Sequence, residues 1–169
     1  MGIILVTGCS GSGKSTVAAE LTRRGLIAVD ADTTLAGWVN ERGEAVELPD
    51  DTTVEWLSEH DWSWDLSLLD ELAARPGTRY LCGNAGNVGE AWSRFDRAYL
   101  LAIDETTMLT RLDYPHRDHD FGRSGGQRAW LRDWCPRYQA EVTDLGAIHV
   151  DATQPLSAVV DEIVGGTSP

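Results

Sequence analysis

Gly8-Cys9-Ser10-Gly11-Ser12-Gly13-Lys14-Ser15 is the stretch whose residue types and spacing best suit chemistry. It satisfies G-x-x-x-x-G-K-[ST], a pattern whose glycines let successive backbone N–H groups close around phosphate oxygens at the start of a helix. Gly8, Ser10, Gly11, Ser12, Gly13, Lys14, Ser15 and Thr16 are therefore candidate nucleotide contacts. In that role Lys14 reaches the β- and γ-phosphates and the Ser15 hydroxyl holds Mg²⁺. Lys14 is also the only lysine among 14 Lys and Arg residues. A chain that uses arginine everywhere else keeps a compact ammonium where a point charge fits between phosphates better than a planar fork.

Three further groups have the residue types to complete such a site. Asp30-Ala31-Asp32 follows an apolar run, and two carboxylates there can divide the ordering of Mg²⁺ (Asp30) from acceptance of a hydroxyl proton (Asp32). A helix cap or a solvated turn is the simpler alternative. Gly83, Asn84 and Asn87 close another apolar run and offer close backbone approach with neutral hydrogen bonds to an acceptor, unless they form a plain turn. Arg111, Arg117 and Arg123 punctuate an irregular stretch, 111–126, suited to a mobile lid that brings positive charge over a transferring phosphoryl group.

The elements that must position these groups alternate strand and helix. Ile3-Ile4-Leu5-Val6, Leu26-Ile27-Ala28-Val29, Arg79-Tyr80-Leu81-Cys82, Arg97 to Ile103 and Ala147 to Asp151 read as five strands. The expected fold class is α/β: one three-layer domain over 1–169, with a five-stranded parallel sheet and helices on both faces. Carboxyl ends of parallel strands are where ligands sit, which brings Asp30 and Asp32 toward the phosphate loop. Extended backbone would place both aspartates on one side. Residues 33–76 form an insert between core strands and the expected acceptor-binding region. There Leu35 to Val39 reads as a brief helix, Val46 and Leu48 as part of a small hairpin, and Trp62, Leu66, Leu69 and Ala73 as one face of a helix. Trp38 and its neighbouring tryptophans are either aromatic core or a platform for a planar substrate. Later, Trp130, Trp134 and Tyr138 share one helical stripe, with a kink expected at Pro136.

Composition excludes some classes. With 27 Asp and Glu against 14 Lys and Arg, the chain lacks the basic excess of a general nucleic-acid or anionic-membrane binder. No apolar run approaches membrane-spanning length. Three cysteines, an odd number without paired metal spacing, argue against a disulfide framework and point to a soluble protein of a reducing cytoplasm.

Taken in order, these parts resemble the small P-loop kinases of the adenylate, shikimate, gluconate and dephospho-coenzyme A kinase group. Asp30-Ala31-Asp32 is similar to the Asp-x-Asp of shikimate kinases and matches the Asp-Ala-Asp of dephospho-coenzyme A kinases. The resemblance implies ATP and Mg²⁺ as cofactors, Asp32 as the acceptor's general base, and Asp30 as a Mg²⁺ ligand through water. It also implies that the loop after the last strand, with Asp151, Ala152, Thr153 and Pro155, passes over adenine. The sequence departs from shikimate kinases in lacking their triple glycine near Asn84 and a carboxylate-binding arginine after Asp32. The expected activity is ATP-dependent phosphorylation of a small metabolite's hydroxyl. A nucleoside or nucleotide kinase and an ATP-binding regulatory module are the alternatives.

Overall fold

The structure is a computed structural model that describes residues 2–114 and 121–166. In chain order its elements are β1 (Ile3–Thr7), α1 (Lys14–Arg23), β2 (Ala28–Asp30), α2 (Ala31–Thr34), β3 (Ala36–Val39), β4 (Ala45–Val46), α3 (Val54–Glu59) and β5 (Asp61–Trp64). They continue with α4 (Leu66–Ala73), β6 (Arg79–Cys82), α5 (Val88–Ala91), β7 (Phe95–Ala102), α6 (Glu105–Leu112), α7 (Gly125–Asp144), β8 (Ile148–Asp151) and α8 (Leu156–Gly165).

Every residue of β1 is buried, as a strand covered on both faces must be. It lies at the centre of a five-stranded sheet ordered β2-β6-β1-β7-β8, with all pairings parallel. Alternation along β1 divides the core. Ile4 and Val6 pack with Val17 and Leu21 of α1 and with Val160 and Ile163 of α8. Ile3 and Leu5 face the other way, against Leu69 and Leu72 of α4 and Val142 of α7. Helices therefore cover both faces, and the loop after β1 emerges where successive connections leave in opposite directions, the place where open α/β sheets bind ligands.

The insert is built differently from its sequence reading. Ala36–Val39 is a strand rather than a helix, and it joins a small antiparallel sheet ordered β4-β3-β5. Trp62 lies in β5 and not on a helix: the alternation Asp61-Trp62-Ser63-Trp64 prevails, and the helix starts only after Asp65, whose side chain accepts from the N–H groups of Ser67 and Leu68. The register pairs Trp38 with Trp62. Residues directly opposite each other share a face, so both indoles stand on the same side of this sheet.

Two other expectations need correction. The sequence argues against a disulfide, but Cys9 and Cys135 are bonded, with Cα atoms 5.6 Å apart across a sequence separation of 126; only Cys82 is free, and it is buried. Such a long-range pairing leaves no mark in local spacing, and the reducing-compartment argument built on unpaired cysteines falls with it. Asp30 and Asp32 do not share one extended segment, because β2 stops at Asp30 and the chain turns into α2. No helix among the described residues is long and apolar enough to cross a membrane.

Candidate functional site

The loop between β1 and α1 owes its shape to glycine. Gly13 caps α1 in the left-handed conformation (φ 100°) with nothing within 4 Å of where a Cβ would stand, which leaves room beside the first amides of α1. Lys14 is buried, and its ammonium donates to the carbonyls of Gly8 (3.0 Å) and Cys9 (3.2 Å). It also stands 3.9 Å from Asp32 Oδ2. The Ser12 hydroxyl is buried with no hydrogen-bond partner among the described residues, a donor left over inside an anion-shaped loop.

One cavity of about 820 Å³ runs from this loop in two directions, and residues 10–17 form its floor. Toward the end of β8, Ala152, Gln154, Leu156 and Val159 form the wall. The roof residues implied by the resemblance, Asp151, Thr153 and Pro155, stand outside it. Asp151 accepts from the hydroxyl (2.6 Å) and the N–H (2.9 Å) of Thr153, which holds its carboxyl below the usual range and shapes the turn. Arg111 ties this side together. It lies in the last turn of α6 and donates to the carbonyls of Gly11 (3.1 Å), Ser12 (3.3 Å) and Ala152 (2.6 Å). Its guanidinium thus braces two loops on this side of the cavity. Arg123 is exposed and away from the wall, and Arg117 lies outside the described residues.

In the opposite direction the wall holds Asp32, Asn84 and aromatic rings. Asp32 Oδ1 accepts from the Asn84 backbone N–H at 3.2 Å, and the Asn84 side-chain amide donates to the Gly8 carbonyl at 2.8 Å, so Asn84 joins Asp32 to the loop after β1. Gly83 permits this approach, since a Cβ there would come within 2.6 Å of the Ala31 Cβ and 2.9 Å of Asp32 Oδ1. Asn87 does not reach the cavity; it pairs with the backbone of Trp64 in both directions, at 3.0 Å each, and pins the end of β5. Asp30 accepts from the Asp32 N–H (3.0 Å), so it caps α2, as the simpler reading of these aspartates expects.

Trp38 lines the cavity with Trp62, one of the neighbouring tryptophans weighed as a platform, and with three residues that the sequence reading left out of the site: Phe121, Trp130 and Trp134. Trp38 meets Trp62, Phe121 and Trp130 at centroid distances of 5.5, 5.9 and 6.4 Å. On α7, Trp130, Trp134 and Tyr138 stack in series at 5.1 and 4.5 Å. The Tyr138 hydroxyl completes the series with a 2.6 Å hydrogen bond to Thr7, at the end of β1. Burial pushes the Tyr138 phenol well above its ordinary pKa, so it remains a neutral hydrogen-bonding group. Burial, with Asp30 next in effect, likewise raises Cys82 and keeps it an unreactive thiol. The stripe on α7 was visible in the sequence as an i, i+4, i+8 repeat, and Trp62 as the alternation in β5; neither signal tells which cavity the rings face.

Comparisons with known proteins extend this picture. No family model and no curated protein matches the chain. Solved structures do match over its whole length. A shikimate kinase from Acinetobacter baumannii in complex with shikimate aligns at TM-score 0.61 and 17% identity, covering 100% of this chain and 96% of that one. A gluconokinase from Sinorhizobium meliloti 1021 aligns at 0.58 and 23%, covering 98% and 90%. A deoxyadenosine kinase from M. mycoides with bound dATP aligns at 0.57 and 13%, covering 98% of each chain. The chain has the fold of the small P-loop kinases, and at these identities the likeness concerns the fold alone.

Proposed function

We propose that this protein is an ATP-dependent phosphotransferase that moves the γ-phosphoryl group of ATP to a hydroxyl of a small molecule. The observation that carries this reading is the 3.9 Å approach of the Lys14 ammonium to the Asp32 carboxylate at the junction of the two directions of the cavity. A group suited to phosphate charge and a group suited to a proton meet where an acceptor hydroxyl would face a terminal phosphate.

The residues fit a nucleotide and its metal. The open approach at Gly13, the unpartnered Ser12 hydroxyl and the start of α1 suit a polyphosphate. The Ser15 hydroxyl on the cavity floor is a hard oxygen donor that would hold Mg²⁺ with the phosphates; Asp30 stands behind Asp32 and orients it through the cap. Mg²⁺ supplies positive charge to the phosphate oxygens when bound. Lys14 neutralises the β- and γ-phosphates, and Asn84 with Asp30 fixes Asp32. Asp32 takes the proton of the acceptor hydroxyl as its oxygen bonds to the γ-phosphorus. The bond from that phosphorus to the β,γ-bridging oxygen breaks, and ADP leaves. Positioning and fixed charge supply most of the acceleration in such a step.

The test is ADP release and phosphate-ester formation across a panel of alcohols, with wild type beside Asp32→Asn. Loss of a general base lowers turnover by about 10²–10⁴-fold while ATP still binds. Unchanged turnover in Asp32→Asn would remove the base from the mechanism, and ATP binding without any ester across the panel would favour a binding module instead.

A further inference from the structure

We infer that the acceptor is an alcohol with a flat, largely hydrocarbon aromatic body. This rests on the phosphotransferase reading and names the substrate class for the same cavity. The acceptor end is walled by Trp38, Trp62, Phe121, Trp130 and Trp134, contributed by β3, β5, α7 and the segment before α7. Trp38 meets its neighbours at interplanar angles of 58° (Trp62), 42° (Phe121) and 65° (Trp130). A cluster packed in tilted and edge-on geometry takes an added aromatic ring in the same geometry.

The charge of the described wall is matched to such a body as well. Among the described residues lining the cavity, the cations are Lys14 and Arg111. Arg111 is spent on three backbone carbonyls of the nucleotide end, and Lys14 sits at the phosphate loop. The described wall of the acceptor end thus offers no cation to a carboxylate or phosphate on the acceptor, and burying such a group unpaired is costly. A cationic acceptor gains little either, because the negative charge of Asp32 already faces the Lys14 ammonium at 3.9 Å. A nucleobase needs polar partners along its edge. Along the described wall of this end the backbone N–H of Asn84 is used on Asp32 and its side-chain amide on the Gly8 carbonyl, which leaves the Asp32 carboxylate and the indole edges to meet a ligand. What remains is a hydroxyl directed at Asp32 and an apolar ring held between indoles.

The experiment uses the full chain with ATP and Mg²⁺ and compares 2-naphthylmethanol with glycerol, choline, shikimate, gluconate and deoxyadenosine. It reads the phosphate ester by ³¹P NMR, and calorimetry reads binding in the presence of a non-hydrolysable ATP analogue. The naphthyl alcohol is expected to bind and to be phosphorylated with kcat/KM at least about tenfold above every other probe. In Trp62→Leu, at a half-buried position, KM for it should rise about tenfold with kcat and ATP affinity unchanged. Preference for shikimate, gluconate, deoxyadenosine, choline or glycerol overturns the inference and leaves the phosphotransferase reading standing. An unchanged KM in a folded Trp62→Leu also overturns it. Tight binding of the naphthyl alcohol with no ester from any probe upholds the acceptor class and overturns phosphoryl transfer.

Discussion

At the end of the cavity where we propose that the nucleotide binds, the chain presents mostly main chain, while at the other end it presents rings. The first end is eight consecutive residues bent by glycines, with Lys14 held by the carbonyls of Gly8 and Cys9 and with Arg111 bracing Gly11, Ser12 and Ala152. The second brings Trp38 and Trp62 from a small separate sheet against Trp130 and Trp134 from a helix nearly 70 residues further along the chain. A main-chain cradle recognises a group that every nucleoside triphosphate shares. A wall of side chains from distant elements is free to differ between proteins of one fold, which is where specificity resides.

The largest expected effect separates the two ends most sharply. Lys14→Ala removes the ammonium from the phosphate end and should lower kcat by at least about 10²–10³-fold, the scale of losing one preorganised charge. Calorimetry with 2-naphthylmethanol should show its affinity within about twofold of wild type, because Lys14 does not wall the ring cluster. Retained turnover would break the assignment of the loop, and lost alcohol binding would show that the ends are not independent.

Two contacts tie α7 to the end of β1 and the loop after it, and they predict an intermediate effect. The Cys9–Cys135 disulfide fastens the phosphate loop to α7, the helix that carries Trp130 and Trp134, and Tyr138 reaches Thr7 from the same helix. A crosslink across so many residues typically contributes about 2–4 kcal/mol, chiefly by restricting the unfolded chain. Cys9→Ser, or treatment with a thiol reductant, should therefore lower Tm by roughly 5–15 °C in calorimetry. It should also raise KM for ATP and for the acceptor together, by a few fold each. A rise confined to one substrate would mean that the bond stabilises the fold without registering one end against the other.

The same contrast explains what the sequence made legible. Residues 8–15 declare their loop because the constraint is local: glycines at fixed spacing, a strand before and a helix after. The place of Asp32 on the cavity wall followed from its position at a strand end, yet its neighbour Asp30 caps a four-residue helix, a choice made by one backbone turn that alternation cannot foresee. The five parallel strands followed from apolar runs, whereas the insert did not. The helical spacing of Trp62, Leu66, Leu69 and Ala73 competed with the alternation of Asp61 to Trp64, and pairing with β3 decided it. The Cys9–Cys135 bond, the Tyr138–Thr7 bond and the meeting of Trp38 with Trp130 join residues far apart in the chain, so no local pattern records them.

The smallest predicted effect belongs to Asn87, and it sharpens the comparison because Asn87 touches neither end directly. Its side chain accepts from the Trp64 N–H and donates to the Trp64 carbonyl, in place of a further strand at the end of β5. Asn87→Ala leaves those two backbone groups without that partner in a partly buried setting, at a cost of about 1–3 kcal/mol. For a chain of this length that is a fall in Tm of about 2–4 °C per kcal/mol. The N–H of Gly86 donates to the Trp62 carbonyl at 2.7 Å, so β5 keeps a second attachment to this loop and the insert stays folded. The slackened strand carries Trp62 at the ring end, while the phosphate loop, Arg111 and Ala152 have no contact with Asn87 in the hydrogen-bond network. KM for the aromatic alcohol should rise about two- to fivefold with ATP affinity unchanged, checked by titrating each substrate against saturating levels of the other. An equal rise in both constants would show that β5 supports the phosphate loop as well, and the separation of the cavity into a main-chain end and a side-chain end would have to be redrawn.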